Sequence, residues 1–223
     1  MTTNEVMAQL EKAGSAATRK TYARHGITSP MFGVSYAVLG KLVKAIKIDQ
    51  ALAEELWATG NHDARILATM VADPKRIARK HLDGWAKAAD NYVLSDAIGR
   101  MVAKTPDARA TAEAWVESPG EHVGQCGWTV LGMLAGGGDA VSEAECLALL
   151  GRIEREIKTA KNRVRHSMNG TLIAIGGRSV PLRAAALAAH RRIGKVEVDH
   201  GDTACVTPNA EAYLAKIWAR KKG

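Results

Sequence analysis

Apolar residues recur along almost the whole chain at the three- and four-residue spacing of amphipathic helices. The alternation that is typical of a strand occurs only briefly, at Val196-Glu197-Val198. The pattern predicts twelve helices, at residues 3–23, 34–47, 49–59, 61–72, 74–88, 91–103, 107–117, 120–135, 142–160, 162–176, 179–193 and 207–221. The sequence therefore predicts an all-α protein.

Residues with known preferences for helix ends and turns mark the predicted boundaries. Pro74 and Pro106 stand at or near predicted helix starts, where the missing backbone N–H of proline costs nothing. Ser142 is followed three residues later by Glu145, which is the pattern of a capping box. The glycine run Gly136–Asp139 predicts a turn.

The predicted helices recur as pairs with a period of roughly 30–40 residues, which is typical of HEAT-like helical hairpins. Trp57, Trp85 and Trp115 follow a similar spacing, and we interpret Trp57 and Trp115 as packing between helical layers. Stacked hairpins form an α-solenoid, a superhelix with a concave surface. No linker divides the chain, so the sequence predicts one domain at 1–223, in which 194–223 form a C-terminal appendix with a basic terminal helix.

Charge is distributed unevenly along the chain. Residues 1–150 contain 16 Lys and Arg and 17 Asp and Glu, whereas residues 151–223 contain 15 and 6. A basic C-terminal third favours a polyanionic partner such as nucleic acid, because neutralised phosphates release their counterions. The chain contains no apolar run long enough to span a membrane, and its three cysteines form no CxxC pair. These features indicate a cytoplasmic protein with no membrane partner.

The segment from Trp85 to Arg100 contains the candidate catalytic chemistry. Tyr92 and Asp96 are four residues apart in a predicted helix, so they share one face, and Arg100 follows one turn later. Asp96 is either a structural cap or ion-pair partner, or a catalytic carboxylate for a cationic substrate. The chain has no glycine-rich phosphate loop, nucleophile elbow or HExxH motif.

Four segments resemble the DNA alkylation repair protein family, the AlkD-like HEAT-repeat DNA glycosylases. Their order and spacing match over roughly residues 30–192, although each motif is short. Asp63 stands where the family usually has Glu, and Tyr92 stands where it usually has Trp. The four segments are Met31–Tyr36, Ala53–Ala68, Trp85–Asp96 and Asn162–Asn169.

The resemblance implies an α-solenoid whose concave basic groove holds alkylated duplex DNA, with no cofactor. It also implies excision of cationic N3- or N7-alkylpurines, with Asp96 as the catalytic carboxylate and Tyr92 as its aromatic neighbour. A carboxylate at this place would stabilise the oxocarbenium-like sugar that the departing purine leaves, or orient the attacking water. An aromatic ring beside it would attract the cationic base.

Two supporting groups of the family have no counterpart in this chain. The second lesion-facing aromatic would fall at Gly170, and an arginine would fall near Gly127, where Gln125 or Trp128 could substitute. A dense basic run supplies the expected phosphate contacts. The residues expected to contact DNA are Lys158, Lys161, Arg163, Arg165, His166, Asn169, Trp128 and Gln125.

Other polar clusters favour structural roles. His62, Asp63 and Arg65 are interpreted as an inter-helix salt bridge or cap. His200, Asp202 and Cys205 are suitable metal donors, but they are too few for a recognised site, so we predict a turn and no metal. The leading hypothesis is a monomeric AlkD-like DNA glycosylase, or a diverged member with weak activity, that is associated with the nucleoid if bacterial. The alternatives are a non-catalytic HEAT-type nucleic-acid-binding module and a protein-binding scaffold.

Overall fold

The computed structural model describes residues 1–138 and 140–221, and within these ranges the regular structure is entirely helical. The all-α class is therefore confirmed. The helices are α1 Thr3–Ala13, α2 Ala16–Arg24, α3 Tyr36–Ile46, α4 Gln50–Ala58, α5 His62–Val71, α6 Arg79–Ala88, α7 Tyr92–Val102, α8 Ala108–Val116, α9 Glu121–Gly136, α10 Glu143–Glu156, α11 Asn162–Gly176, α12 Val180–Ile193 and α13 Ala210–Arg220.

Three of the predicted helix boundaries were wrong by more than three residues. The helix predicted at 3–23 is divided, because Ser15 caps the start of α2 through its side chain. The helix predicted from 74 starts only at Arg79, and the helix predicted to 160 ends at Glu156. The capping box at Ser142 and Glu145 is confirmed. The turn predicted at Gly136–Asp139 includes Asp139, which lies outside the described residues.

Contacts divide the chain into two compact units. Unit 1 contains Met1–Pro106 with His200–Ala204, and unit 2 contains Asp107–Asp199 with Cys205–Gly223. The single domain at 1–223 stays a prediction.

Unit 1 is built from the hairpins α4/α5 and α6/α7, with α3 and α7 packed on α5. Its core contains Trp57 of α4 and Trp85 of α6, whose rings stack with centroids 4.4 Å apart and planes 7° apart. Both rings are buried, so the packing role predicted for Trp57 is confirmed. The first helices of two successive hairpins are therefore joined through aromatic contact.

Unit 2 is built from the hairpins α8/α9, α10/α11 and α12/α13, with α9 and α11 in the most extensive contact. Small residues permit this approach, since a Cβ added at Gly132 would lie 2.8 Å from Thr171 Oγ1. Trp115 is buried in this unit, which confirms its predicted packing role. Unit 2 thus repeats the hairpin architecture of unit 1.

Candidate nucleic-acid interface

The starts of α3 and α5 in unit 1 are held together by the buried carboxylate of Asp63. This residue lies in the first turn of α5 and is 1% exposed. It accepts hydrogen bonds from the backbone N–H groups of Phe32 (2.7 Å), Gly33 (3.0 Å) and Val34 (2.8 Å). These three residues immediately precede α3, so Asp63 fixes the start of α3 against the start of α5. The sequence predicted an inter-helix salt bridge or cap for Asp63. Its carboxylate instead binds the backbone of the loop before α3.

A second set of contacts links the start of α5 to the start of α7. The ring of His62 packs edge-on against Tyr22 at 5.5 Å between centroids, and its Nδ1 lies 3.5 Å from Nδ2 of Asn91. Burial lowers the pKa of His62, an effect that the nearby carboxylates oppose. Tyr22 donates a hydrogen bond to the carbonyl oxygen of Val34 at 2.7 Å. The starts of α3 and α7 therefore both lie against the start of α5.

Tyr92 and Asp96 lie on the partly exposed face of α7. Asn91 caps this helix by accepting a hydrogen bond from the N–H of Leu94 at 2.9 Å, so Asp96 is not the cap. The hydroxyl of Tyr92 lies 2.5 Å from Nδ1 of His25, the residue that ends α2. Tyr92 is thereby held from the side of α2, next to the carboxylate that follows one turn later.

Tyr36 lies within reach of the charges of Asp96 and Tyr92, and the sequence did not predict it as a site residue. It is the first residue of α3, as Tyr92 is the first residue of α7, and its side chain is 47% exposed. Desolvation raises the pKa of its phenol, Arg100 lowers it, and Asp96 and Tyr92 raise it. Tyr22 adjoins this group, and burial, Asp63 and Tyr36 raise the pKa of Tyr22 to about 12. Three of the four tyrosines of the chain thus gather in unit 1.

The basic run of unit 2 starts between α10 and α11. Lys158 and Lys161 are exposed, and Nζ of Lys161 donates to the carbonyl oxygen of Pro119 at 2.7 Å. The backbone N–H of Arg163 donates to Glu121 at 2.7 Å, which joins the starts of α9 and α11. Arg163 and His166 are partly buried on α11. Two lysines thus lie exposed at the start of α11.

The guanidinium of Arg165 forms hydrogen bonds within the protein. It donates to the carbonyl oxygens of Ile157 (3.2 Å), Lys158 (3.4 Å), Ala160 (2.9 Å) and Glu197 (2.8 Å). Three of these bonds satisfy carbonyl groups of the turn that follows α10, and the fourth satisfies the carbonyl group of Glu197. They explain why α10 stops at Glu156, and they attach the segment after α12 to the start of α11.

Three further residues expected at the DNA surface lie in the interior of unit 2. Gln125, Trp128 and Asn169 are each 1% exposed. The guanidinium of Arg152 lies over the ring of Trp128 at 5.5 Å, and Asn169 Nδ2 donates to the carbonyl oxygen of Pro208 at 2.9 Å. The contacts of Trp128 and Asn169 shown here are with other residues of unit 2, and DNA contact by the three residues stays a prediction.

The two glycines that replace supporting groups of the family have opposite surroundings. A Cβ added at Gly127 would lie 2.8 Å from the backbone N of Val116 and 3.1 Å from the carbonyl oxygen of Ala112. A Cβ added at Gly170 would meet nothing within 4 Å, and this residue is exposed on α11. Gly127 therefore serves close packing of α8 on α9, whereas Gly170 leaves open space.

Tyr92 and Asp96 thus lie in unit 1, and the predicted DNA-contact residues all lie in unit 2. In the described part of the chain, no cluster of three or more His, Cys, Asp or Glu could hold a metal ion. Over the same ranges, no helix has the length and apolar character needed to cross a membrane.

Comparisons with known proteins agree with this architecture. An uncharacterised protein of Listeria monocytogenes, Lmo0209, is 28% identical over 228 residues that cover 100% of both chains. Lin0241, an uncharacterised protein of Listeria innocua, is 28% identical over 222 residues, 97% of each chain. A solved structure matches with a TM-score of 0.91 and 32% identity, over 99% of this chain and 95% of that one. That structure represents a family described as a new family of proteins related to the HEAT-like repeat DNA glycosylases with affinity for branched DNA structures.

The sequence also matches a family model directly. Residues 6–197 match the model described as DNA alkylation repair enzyme. This match covers most of the 223 residues and includes all four segments that resemble the family. The chain therefore belongs to the DNA alkylation repair enzyme family.

Proposed function

We propose that this protein binds branched DNA. It uses the basic surface of unit 2 at Lys158 and Lys161 and the tyrosine cluster of unit 1, which consists of Tyr22, Tyr36 and Tyr92. The observation that carries the proposal is the likeness, at 32% identity over 99% of the chain, to a protein whose family has affinity for such DNA. The two glycines support binding over catalysis. At Gly127 the close approach of α8 leaves no room for an arginine, and at Gly170 there is no aromatic side chain.

Electrostatics supply the affinity in this proposal. Residues 151–223 have a net charge of +9, and Lys158 and Lys161 are its exposed members at the start of α11. Each phosphate that a lysine neutralises releases counterions, so affinity falls with salt in proportion to the number of contacts. Lysines supply affinity without reading sequence, which suits a ligand that is recognised by its shape.

Replacement of both Lys158 and Lys161 by alanine is expected to weaken junction binding and flatten its salt dependence. Loss of two phosphate contacts lowers the slope of log affinity against log salt by about 2. The measurement is a titration of a labelled four-way junction at several salt concentrations.

The matched control removes the same charge from another part of unit 2. Arg191 and Arg192 of α12 form surface ion pairs with Glu211 (3.2 Å) and Glu154 (2.6 Å). Their double replacement by alanine is expected to leave the slope unchanged. Equal slopes for both double variants would exclude the lysines from the contact surface. A wild-type affinity that does not respond to salt would contradict nucleic-acid binding and favour the protein-scaffold alternative.

A second candidate function is hydrolysis of the N-glycosidic bond of cationic N3- or N7-alkylpurines. The observation in its favour is the partly exposed Asp96 next to Tyr92 on α7. A carboxylate stabilises positive charge that develops on the sugar, and the cationic purine is a good leaving group. In this mechanism Asp96 acts on the sugar or on the attacking water, and Tyr92 supplies an aromatic face to the base.

Replacement of Asp96 by asparagine is expected to lower release of 7-methylguanine from alkylated duplex DNA by about 100-fold, because one electrostatic stabiliser of the transition state is lost. Released base is measured by chromatography. The control is Asp83→Asn, since Asp83 is a surface residue of unit 1 that pairs with Arg79 at 2.9 Å. If wild type and Asp96→Asn release the base no faster than DNA alone, the hydrolase function is excluded while the binding function stands.

A further inference from the structure

The position of Tyr36 is fixed by the contacts that align the helix starts of unit 1. Asp63 binds the backbone of the loop that leads into α3, and Asn91, the cap of α7, adjoins His62 at the start of α5. Tyr36 and Tyr92 are the first residues of α3 and α7. Both rings therefore stand at the starts of helices that are held against the start of α5.

The surroundings of Tyr36 differ from those of the other two tyrosines in unit 1. Tyr22 packs on His62 and donates to Val34, and Tyr92 adjoins His25. Tyr36 is 47% exposed, and among the described residues it has no ring partner. Arg100, Asp96 and Tyr92 lie close enough for their charges to act on its phenol. Tyr36 thus presents an open aromatic ring beside an exposed guanidinium.

An open aromatic ring next to a cation suits an unpaired nucleotide. A base that has left the helical stack offers a π-face that stacks on an aromatic side chain, whatever the identity of the base. In a fully paired duplex both faces of each base are already stacked on neighbours. A branch point that contains an unpaired nucleotide supplies such a base, so Tyr36 can distinguish it from a continuous duplex.

We propose that Tyr36 is the stacking platform for an unpaired base at the branch point of the bound DNA. This inference rests on the proposed binding of branched DNA and names the feature of the branch that is recognised. Arg100 lies beside the platform, where it can contact the phosphate of the same nucleotide.

The experiment uses a three-way junction that has one unpaired 2-aminopurine at the branch point, and a continuous duplex of the same length. The fluorescence of 2-aminopurine falls when the base stacks, and a labelled strand reports the affinity of both DNAs. The variants are Tyr36→Ala and Tyr36→Phe, and the latter keeps the ring but loses the hydroxyl. The control is Tyr213→Ala, since Tyr213 is 49% exposed on α13. Circular dichroism checks that each variant keeps its helix content.

Wild type, Tyr36→Phe and Tyr213→Ala are expected to quench the fluorescence and bind the junction equally well. Tyr36→Ala is expected to lose the quenching and to bind the junction about tenfold more weakly, with unchanged affinity for duplex. If Tyr36→Ala quenches and binds as wild type does, or weakens duplex and junction alike, the stacking role is overturned while branched-DNA binding stands. If wild type itself does not bind the junction, the proposed function fails and the inference fails with it.

Discussion

Replacement of Asp63 by alanine is expected to destabilise unit 1 by about 4 kcal/mol, because hydrogen bonds to a charged group contribute about 1.5–3 kcal/mol each and buried donors are costly to leave unpaired. The carboxylate is 1% exposed and accepts three backbone N–H groups, from Phe32, Gly33 and Val34. Without the carboxylate these donors lose their partner, and the loop that positions α3 loses its attachment to α5. Urea unfolding followed by circular dichroism measures the loss.

Two variants make this prediction specific. Asp63→Asn keeps one acceptor oxygen but loses the charge, so an intermediate loss of stability is expected. Asp83→Ala removes a surface carboxylate that pairs with Arg79, one turn away on the same helix, and is expected to cost less than about 1 kcal/mol. If Asp63→Ala unfolds at the same urea concentration as Asp83→Ala, Asp63 does not hold the helix starts together, and the placement of Tyr36 beside α7 loses its physical basis.

Arginine at position 127 is expected to prevent stable folding of unit 2, with a cost of about 4 kcal/mol or more. The first side-chain atom alone would lie 2.8 Å from the backbone N of Val116 and 2.9 Å from its Cγ1. The rest of the side chain would carry a charge into the packed interface of α8 and α9. Gly127→Arg therefore supplies the arginine that the family resemblance predicts near this position. The variant does not restore the role of that arginine, because the side chain does not fit between α8 and α9. Thermal unfolding of the variant measures the effect.

Gly170 is the matched comparison, because it is also a helical glycine but faces open space. Gly170→Ala is expected to raise the stability of unit 2 by about 0.5–1 kcal/mol, since alanine is the better helix former. Gly170→Trp is expected to fold normally. If Gly127→Arg unfolds at the same temperature as Gly170→Trp, the packing of α8 on α9 is not as tight as the distances indicate.

Periodicity and helix-end chemistry were sufficient to predict the helical architecture. The capping box at Ser142 and Glu145 is local, so it could be read directly from residue types. The end of α10 could not be predicted, because it depends on Arg165 reaching back to the carbonyl groups of three residues that precede it in the turn. A hydrogen bond from a side chain to backbone carbonyl groups in a turn leaves no periodic signal in the sequence.

The candidate site could be predicted only in part, because some of its residues come together through the fold and not through a pattern within one helix. The spacing of Tyr92 and Asp96 defines their shared face within one helix, and the structure places both on the partly exposed side of α7. Tyr36 lies on α3, whose start is fixed by the bonds of Asp63 to the preceding loop, so its spacing in sequence gave no sign of the group. The same holds for Trp128, whose burial depends on the packing of α9 against neighbouring helices rather than on its own pattern.

Preference for branched over linear DNA tests the central claim most directly. The affinity of the wild-type protein for a four-way junction is compared, at one fixed salt concentration, with its affinity for a linear duplex that has the same total number of base pairs. Because the two ligands present the same phosphate charge, non-specific electrostatic attraction contributes almost equally to both. The proposed function predicts at least tenfold tighter binding of the junction, about 1.4 kcal/mol. Equal affinities for junction and duplex would contradict it.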